Sequence, residues 1–342
     1  MLIIYIMKSL SLFCLFATVS GNVLTNLFEK WATDFKYDIY SSDNYIELFE
    51  KWVSNHKFIE ETNAKNLTYS LGHNQFSAMD QNDFRAYLGY NKIEAKEDNI
   101  YFENSQSHGL RGSLPEYVNW VERGRVTPVK DQGKCGSCWS FSTTGALEGA
   151  YFNIYGNLES FSEQQLVSCD NLKNTQNRGH DHGCNGGLMD NAFQWIESNG
   201  GLCRESDYPY VSGEGVVDAC ETKCTPVRGS KVTDFVDVKP SDDVAMMTAI
   251  SKQPVSIAIE ADQREFQLYK SGVFTGVCGT KLDHGVLVVG YGSLDGNDYY
   301  LVKNSWAESW GDGGYIKLGR GPNYNNGDGQ CGILLQGSYP VL

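Results

Sequence analysis

Apolar residues in the first part of the chain recur at helical spacing. Two stripes repeat every three to four positions. The first contains Leu24, Phe28, Trp31 and Phe35, and the second contains Tyr45, Leu48, Phe49, Trp52, His56 and Ile59. This period predicts two amphipathic helices. Each apolar stripe needs another surface to cover it, so we expect this part of the chain to be auxiliary to a neighbouring domain.

Further along the chain, helical patterns give way to strand patterns. Residues 138–155 predict a buried helix, and Ser162 with Gln165 three residues later predicts the capped start of a second one. Residues 188–198, closed by Gly200, predict a third. Four segments after Pro254 predict strands, namely 255–259, 285–289, 299–302 and 315–318. We therefore expect an α+β domain with a helical half and a β half, and a cleft at their interface.

The first twenty residues differ from the rest of the chain. They are almost wholly apolar around the single cation Lys8, and the apolar core that begins at Leu10 has only about ten residues. The residues Val19-Ser20-Gly21 have the small-residue pattern of a signal-peptide cleavage site, so we expect cleavage near Gly21. We predict a signal peptide over residues 1–21, entry into the secretory pathway and an oxidising compartment. The alternative, a retained membrane anchor, is disfavoured because the apolar core is too short.

Composition narrows the class of protein. The chain has 342 residues, 41% of them hydrophobic, which suffices for two domain-sized units with a buried core. Its formal net charge of -14 opposes binding to nucleic acid and to anionic membranes. Residues 91–114 are polar and rich in Gly and Ser, as is typical of an exposed linker. We expect a domain boundary near Ser113, which separates residues 22–112 from residues 113–342.

The cysteine count leaves one thiol unpaired. Cys14 would leave with the signal peptide, no cysteine occurs from residue 22 to residue 134, and nine cysteines follow. An odd thiol in an oxidising compartment is a dimer link, an accident or a reactive group. The parity alone does not choose among these three.

One cysteine lies where catalytic chemistry is favoured. A Gly-rich loop, residues 132–137, runs directly into Cys138 at the start of a predicted helix, and amide dipoles there favour a thiolate with a lowered pKa. A thiolate nucleophile also needs a proton donor for the leaving group, a group that orients this donor, and donors for a developing oxyanion. His284 begins a predicted strand and Asn304 ends another. The remaining histidines of this part are His180 and His182.

Several motifs resemble those of the papain-like cysteine peptidases, in the cathepsin L-like group. The segment Asp131-Gln-Gly-Lys-Cys-Gly-Ser-Cys-Trp-Ser-Phe141 matches the active-site segment of that family. Similar matches are Gly183-Cys-Asn-Gly-Gly-Leu-Met-Asp190, the His284 segment, Asn304-Ser-Trp306 and Trp310-Gly311. The resemblance extends from about Leu27 to Leu342. It implies a two-lobed fold with a helical left domain, a β-barrel-like right domain and the active site between them, preceded by a helical propeptide.

The resemblance also implies a function and residue roles. The protein would be a cysteine endopeptidase made as a zymogen and activated by acid, with Cys138 as nucleophile and His284 as acid and base. Asn304 would orient His284, Gln132 would donate to the oxyanion, and Trp306 would shield the His284–Asn304 bond. A Cys138 thiolate beside protonated His284 would attack the peptide carbonyl.

A substrate cleft and four disulfides follow from the same resemblance. The residues implied to bind substrate are Gly186, Gly187, Leu188, Met189, Ala258, Leu282, Asp283, Trp306 and Gln336. The pocket for the residue two before the scissile bond would be mostly apolar, and its choice among Leu, Phe and Arg depends on Gln336. The implied disulfides are Cys135–Cys184, Cys169–Cys220 and Cys278–Cys331, which leaves Cys203 with Cys224, although Cys220 and Cys224 are interchangeable on this reasoning.

The first part resembles the inhibitory propeptide of this family. Matching residues are Asn55, Ile59 and Asn63 on the long helix, followed by Gly72, Asn74 and Phe76. The chain departs from the usual pattern where Asn44, Leu48 and Trp52 replace Glu, Arg and Phe and where Ala78 replaces Asp. The residues that form the family's salt links there therefore differ in this chain. Acid would loosen the carboxylate contacts of such a propeptide.

Competing interpretations are weaker. The pair Cys135 and Cys138 has the spacing of a redox motif or half a zinc site, but no second such motif occurs. The segment of His180 and His182 could bind a metal, yet a solvated loop is favoured. Asn66 begins the sole glycosylation sequon, which is a weak signal.

Other functional classes would leave other marks. A catalytically silent relative would lack Cys138, His284 or Asn304, and an exopeptidase would need an insertion that closes one end of the cleft. We expect no cofactor, no metal, no nucleic acid and no membrane contact after signal cleavage. The expected partners of this monomer are protein or peptide substrates and its own propeptide. A lysosome, an acidic vacuole or the extracellular space is its expected destination.

Overall fold

The computed structural model describes residues 23–40, 44–89, 114–171, 180–221 and 223–342. The predicted signal peptide and the predicted linker, apart from its last residue, lie outside the described residues. We call residues 23–89 the N-terminal segment and residues 114–342 the C-terminal domain. No helix in these ranges is long and apolar enough to cross a bilayer.

The N-terminal segment contains the two helices that the apolar stripes predict. Helix α1 covers residues 23–34 and helix α2 covers Tyr45–Asn63; the short strand β1 (Tyr69–Leu71) and the helix α3 (Gln81–Arg85) follow. The stripes meet in an aromatic cluster, in which Phe28 packs against the rings of Trp31, Tyr45, Phe49 and Trp52. The two helices thus bury their apolar faces against each other.

The C-terminal domain begins with its helical half. Helix α4 covers Cys138–Tyr155, α5 covers Glu163–Cys169 and α6 covers Met189–Asn199. The predicted cap is present, because the backbone N–H of Gln165 donates to Ser162 Oγ at 3.0 Å. Helix α4 is buried almost all round, since it lies between α5, α6 and the sheet. The observed bounds agree with the predicted ones to within a residue.

The β half is one open sheet. Its strands follow the order β1-β5-β8-β7-β6-β4-β9-β3, with β2 paired to β6, and only β5 and β8 run parallel. After β2 (Val118–Asn119), the strands are β3 (Asp234–Val238), β4 (Val255–Ile259), β5 (Tyr269–Phe274), β6 (His284–Leu294), β7 (Asn297–Lys303), β8 (Tyr315–Gly319) and β9 (Gly337–Val341). The predicted barrel-like domain is therefore a sheet that does not close, because β1 and β3 lie at opposite ends.

Two helices in the β half were not predicted. Helix α7 covers Asp243–Lys252 and α8 covers Arg264–Gln267. The first has a local signal that the sequence interpretation overlooked, because Asp242 caps it by accepting from the N–H of Ala245 at 2.9 Å. The second is a single turn, too short for periodicity to reveal.

The N-terminal segment is joined to the C-terminal domain through the sheet. Strand β1 pairs antiparallel with β5, with Tyr69 opposite Gly272. Beyond the strand, Asn74 Nδ2 donates to the carbonyl of Gln267 at 2.8 Å, and Arg264 Nε donates to Asn55 Oδ1 at 2.8 Å. The segment is therefore anchored along α8 and β5.

Four disulfides tie the C-terminal domain together. The structure joins Cys135 to Cys184, Cys169 to Cys220, Cys203 to Cys224 and Cys278 to Cys331. Cys220 and Cys224, which the sequence left interchangeable, are thereby assigned. Cys138 is the one free cysteine of the described chain, and it is buried.

Candidate active site

The free thiol of Cys138 lies at the first residue of α4 and receives backbone donors. The N–H of Gly285 donates to its sulfur at 3.3 Å, and the N–H groups of Gly89 and Trp139 donate to it as well. Gly285 belongs to β6 of the sheet, whereas Gly89 belongs to the N-terminal segment. The sulfur therefore lies between the helical half, the β half and a third layer supplied by residues 23–89.

His284 begins β6, next to the residue that donates to the sulfur. Its Nε2 lies 2.8 Å from Asn304 Oδ1, and Asn304 follows directly after β7. Its Nδ1 is buried with no hydrogen-bond partner among the described residues. Trp306 stacks on the imidazole with centroids 4.5 Å apart and planes 20° apart. The pairing of β6 with β7 thus brings the predicted histidine, asparagine and tryptophan together.

Burial decides the protonation states of Cys138 and His284. Desolvation raises the pKa of Cys138 to about 11, although the N–H of Gly285 opposes the rise. Desolvation also lowers the pKa of His284 to about 4, although the Asn304 bond opposes the fall. The lowered thiol pKa expected from the helix terminus is wrong for this covered state, because burial outweighs the amide dipoles. A neutral thiol and a neutral imidazole are therefore favoured here.

Gln132 is occupied by the N-terminal segment. Its Nε2 donates to the carbonyl of Tyr87 at 2.8 Å and to that of Cys135 at 2.9 Å. Its Oε1 accepts from Ser305 Oγ at 2.6 Å, which leaves the amide no freedom to flip. The predicted oxyanion donor is fully buried and bound to a backbone carbonyl of residues 23–89.

Gly89 connects the N-terminal segment to the sulfur of Cys138 by a backbone hydrogen bond. Besides donating to Cys138, it accepts from the N–H of Gly187 at 3.1 Å. A Cβ at position 89 would come within 1.9 Å of the carbonyl oxygen of Gly136. Only a residue without a side chain fits there. At Gly89, the N-terminal segment therefore meets the site as bare backbone.

An aromatic cluster closes the site on the side of Trp306. Phe76 and Phe84 contact the Trp306 ring edge to face, at 5.3 and 5.2 Å between centroids. Phe76 is in turn in contact with Tyr87 at 5.0 Å. The sequence analysis did not identify Phe84, Tyr87 or Gly89. The aromatic character of Phe84 and Tyr87, just before the linker, is the one sequence feature that could have indicated them. Nothing in the sequence indicated Gly89.

The predicted substrate-binding residues lie on both sides of the sulfur. Gly187 faces Gly89, and its neighbour Gly186 donates its N–H to the carbonyl of Gly183 at 3.3 Å. Leu188 donates its N–H to Asp181 Oδ1 at 3.0 Å, and Met189 starts α6. These hydrogen bonds therefore fix the backbone of the loop of residues 183–188.

The other predicted pocket residues belong to the β half. Ala258 donates its N–H to the carbonyl of Gln336 at 3.1 Å, and the Gln336 side chain hydrogen-bonds to the buried carboxyl of Asp190. Leu282 approaches Gly332. Asp283 faces inward, because its Oδ1 accepts from the N–H of Ala261 at 2.8 Å, and burial raises its pKa to about 7.

A pair of buried carboxyl groups supports the loop of residues 183–188, here called the glycine loop. Asp181 accepts from the N–H of Leu188 and from Asn191 Nδ2, each at 3.0 Å, and its carboxyl is hydrogen-bonded to that of Asp170. Burial raises the pKa of both, that of Asp181 to about 6. No sequence pattern indicated this pair. The nearby His180 and His182 belong to no cluster of metal-ligating side chains in the described part of the chain.

Comparison with known proteins agrees with this geometry. Residues 114–341 match the family described as papain family cysteine protease. Two relatives come from Arabidopsis thaliana, probable cysteine protease RD21B with 44% identity over 84% of this chain, and cysteine protease XCP2 with 42% identity over 94%. The chain spans 59% of the length of RD21B and 87% of that of XCP2.

A solved structure resembles nearly the whole chain. The crystal structure of the ragweed pollen allergen Amb a 11, a cysteine protease in its proform, superposes with a TM-score of 0.81 at 34% identity, over 93% of this chain and 94% of that one. The fold and site thus define a papain-like protease with its N-terminal segment in place. The chain belongs to the papain family of cysteine proteases.

Proposed function

We propose that the protein is a cysteine endopeptidase made as an inactive precursor. The observation that carries this proposal is that β6 joins the two parts of a reactive site: the N–H of Gly285 donates to the Cys138 sulfur at a helix start, and the preceding residue, His284, is bonded to Asn304. The Gln132 amide donates to the carbonyl of Tyr87, in the segment that also bonds to the sulfur. In this arrangement Cys138 is the nucleophile, His284 with its orienting group is the acid and base, and Gln132 is an oxyanion donor. Family membership supports the same activity.

Each proposed residue has one role in the reaction. With the cleft open to water, the proton of the Cys138 thiol passes to His284 Nδ1, and the thiolate forms a bond to the peptide carbonyl carbon. The N–H of Cys138 and Gln132 Nε2 stabilise the oxyanion, and removing one such donor costs about 100- to 1000-fold in rate. The His284 imidazolium then protonates the amine as the C–N bond breaks.

The second half of the reaction uses the same residues. Water attacks the thioester that joins Cys138 to the acyl group, and His284 takes the proton from this water. The carboxylic acid leaves and the thiol is regenerated. Asn304 holds the imidazole in the orientation that both steps need, and Trp306 excludes water from the bond between His284 and Asn304.

Residues 22–112 act as a propeptide in this proposal. The Tyr87 carbonyl occupies the Gln132 donor, and Gly89 occupies both the sulfur and the N–H of Gly187. A substrate would need all three groups at once. The precursor is therefore inactive until this segment is cut, near residue 113, and removed.

The substrate would bind as an extended strand along the glycine loop. Gly187 offers its backbone N–H once Gly89 has left. The pocket for the residue two before the scissile bond has Met189, Ala258 and Leu282 as apolar walls, with the Gln336 amide at its floor. We propose a preference for an apolar residue there. Activation and cleavage would take place in an acidic vacuole or lysosome, or after secretion.

Acid treatment of the purified precursor tests the proposal. We expect the unaltered chain to shorten near residue 113 and to cleave a folded protein at internal sites. Cys138→Ala and His284→Ala should do neither, whereas His182→Ala, at an exposed loop position, should behave as the unaltered chain. Equal activity in the Cys138→Ala chain would refute the thiol mechanism, and cuts only at chain ends would refute endopeptidase activity.

A further inference from the structure

Two histidines of the N-terminal segment form a bonded pair against a tryptophan. His56 Nδ1 and His73 Nε2 lie 3.0 Å apart. Both imidazoles are parallel to the Trp52 indole within 7°, with centroids at 5.0 and 4.5 Å from it. They are also parallel to each other within 9°, at 5.3 Å. The two imidazoles therefore lie side by side, and their one mutual polar contact is the N···N bond.

The pair lies between two anchors to the C-terminal domain. His56 follows Asn55, whose side chain donates to the carbonyls of Ser77 and Met79, both at 2.9 Å, and accepts from Arg264. His73 precedes Asn74, whose side chain donates to the carbonyl of Gln267. Separating the histidines would move the backbone of both asparagines. The bond thus couples helix α2 to the loop that leads into the active site.

We propose that the bond between His56 and His73, here called the histidine latch, opens in acid and so releases the N-terminal segment from the active site. The inference rests on the proposed function, because release matters only if residues 23–89 inhibit a peptidase. It assigns the acid trigger to two residues that lie far along the chain from Cys138.

Counting protons explains why acid opens the latch. An N–H···N bond needs one nitrogen with a free lone pair. The neutral pair and the singly protonated pair both meet this condition. When both rings are protonated, two N–H groups and two positive charges face each other, and the bond is replaced by repulsion. The latch therefore opens only at the second protonation.

The surroundings make that second proton costly in the closed state. Burial, followed by the neighbouring His56, lowers the pKa of His73 to about 4 from an ordinary 6.5. His73 Nδ1 is also buried without a partner among the described residues. Since the folded pKa is lowered, the docked segment binds fewer protons than the released one. Docking is therefore fully stabilised above pH 6.5 and weakens as the pH falls towards about 4.

The charged groups around the pair do not offset this cost. Helix α2 carries Glu60 one turn beyond His56, at an exposed position. From α8, Arg264 donates to Asn55 Oδ1 and to Ser54 Oγ, each at 2.8 Å, and it does not shift the pKa of His73. His56 is the only titratable group that shifts the pKa of His73 in the described chain.

The cluster on the α1 side adds no carboxylate. Leu48 and Ala78 both pack in the cluster around Trp52, so neither supplies a charge. Its titratable members are Tyr37 and Tyr45, whose pKa values are raised above 10 and which stay neutral in acid. Within the cluster around Trp52, His73 is therefore the group whose lowered pKa couples protonation to docking.

A double variant of the full precursor tests the latch. The double variant His56→Leu/His73→Leu keeps two side chains packed against Trp52 but removes both titratable imidazoles. We expect its midpoint for acid conversion to fall by about one pH unit or more relative to the unaltered chain. The matched control His180→Leu removes an exposed histidine and should leave the midpoint unchanged. An unchanged midpoint in the double variant would overturn the latch.

Two further measurements separate the latch from the proposed function. Each precursor is also cut by an added protease at neutral pH, and equal peptidase activity of all products is expected. If none of the products is active, the proposed function fails, whatever the midpoints. Imidazole NMR titration of the full-length Cys138→Ala precursor reports on the pair without any variant at it. Independent titration of His73 near pH 6.5 in the folded precursor would also overturn the latch.

Discussion

Gly89 lies so close to Gly136 that a Cβ on the former would come within 1.9 Å of the carbonyl oxygen of the latter. The N–H of Gly89 also donates to the sulfur of Cys138, so the backbone of residues 23–89 covers this thiol. Any side chain at position 89 must push the two backbones apart, because the neighbouring atom is a carbonyl and not a flexible side-chain end. The proposed inhibition therefore depends on a residue with no side chain at position 89.

Gly89→Ala should weaken inhibition in the precursor. We expect peptidase activity of the uncut chain at neutral pH to rise at least about tenfold, which corresponds to about 1.4 kcal/mol of lost docking energy. The measurement is hydrolysis of a fluorogenic peptide by the freshly purified precursor. Gly213→Ala is the matched control, because a Cβ at position 213 would lie 3.9 Å from its nearest neighbouring atom, in the Tyr210 ring. Equal activity of the two variants would contradict the prediction.

The pH dependence of Cys138 alkylation should change when the precursor is activated. Burial raises the pKa of the thiol to about 11 in the covered state, so the thiolate fraction in the precursor is small at neutral pH. We expect iodoacetamide to react slowly with the precursor, at a rate that increases up to about pH 11. After removal of residues 22–112, the reaction should be faster and should persist in acid. Mass spectrometry of the labelled chains measures both rates, and identical pH profiles would argue against ion-pair formation.

The carboxyl pair beneath the glycine loop should make stability depend on pH. The pKa of Asp181 is raised by burial to about 6 from 3.8, so the folded state binds more protons than the unfolded state between these values. Its contribution is therefore full below about pH 4 and is lost as the pH rises through about 6. We expect a loss of about 1–3 kcal/mol across this window.

Asp181→Asn should flatten that dependence. The amide keeps an oxygen for the N–H of Leu188 but does not titrate. Urea unfolding of the Cys138→Ala precursor at pH 4 and pH 7 measures the difference, and the exposed Asp207→Asn serves as control. A slope that is the same in all three chains would exclude Asp181 as its source.

Several parts of the molecule follow from local sequence. The bounds of α4, the capped start of α5 and the two helices of the N-terminal segment depend on periodicity and capping, which act over a few residues. The candidates Cys138 and His284 were found because their residue types at those local positions suit a nucleophile and a base.

Other parts depend on residues that lie far apart in the chain. The contact of Tyr87 with Gln132 and that of Gly89 with Cys138 carry no local signal, because a glycine near a linker has the composition of any turn. The raised thiol pKa belongs to the same group, since it arises from burial by a segment almost fifty residues upstream.

The sequence by itself determined the family, the helices α1, α2, α4, α5 and α6, and the candidate chemistry, because short-range patterns and residue types encode these. Only the tertiary structure decided that the sheet stays open, that the thiol and imidazole are neutral while covered, and that His56 meets His73. The physical reason is that pairing across the sheet, desolvation and side-chain contact are set by long-range packing. No single stretch of the chain contains that information.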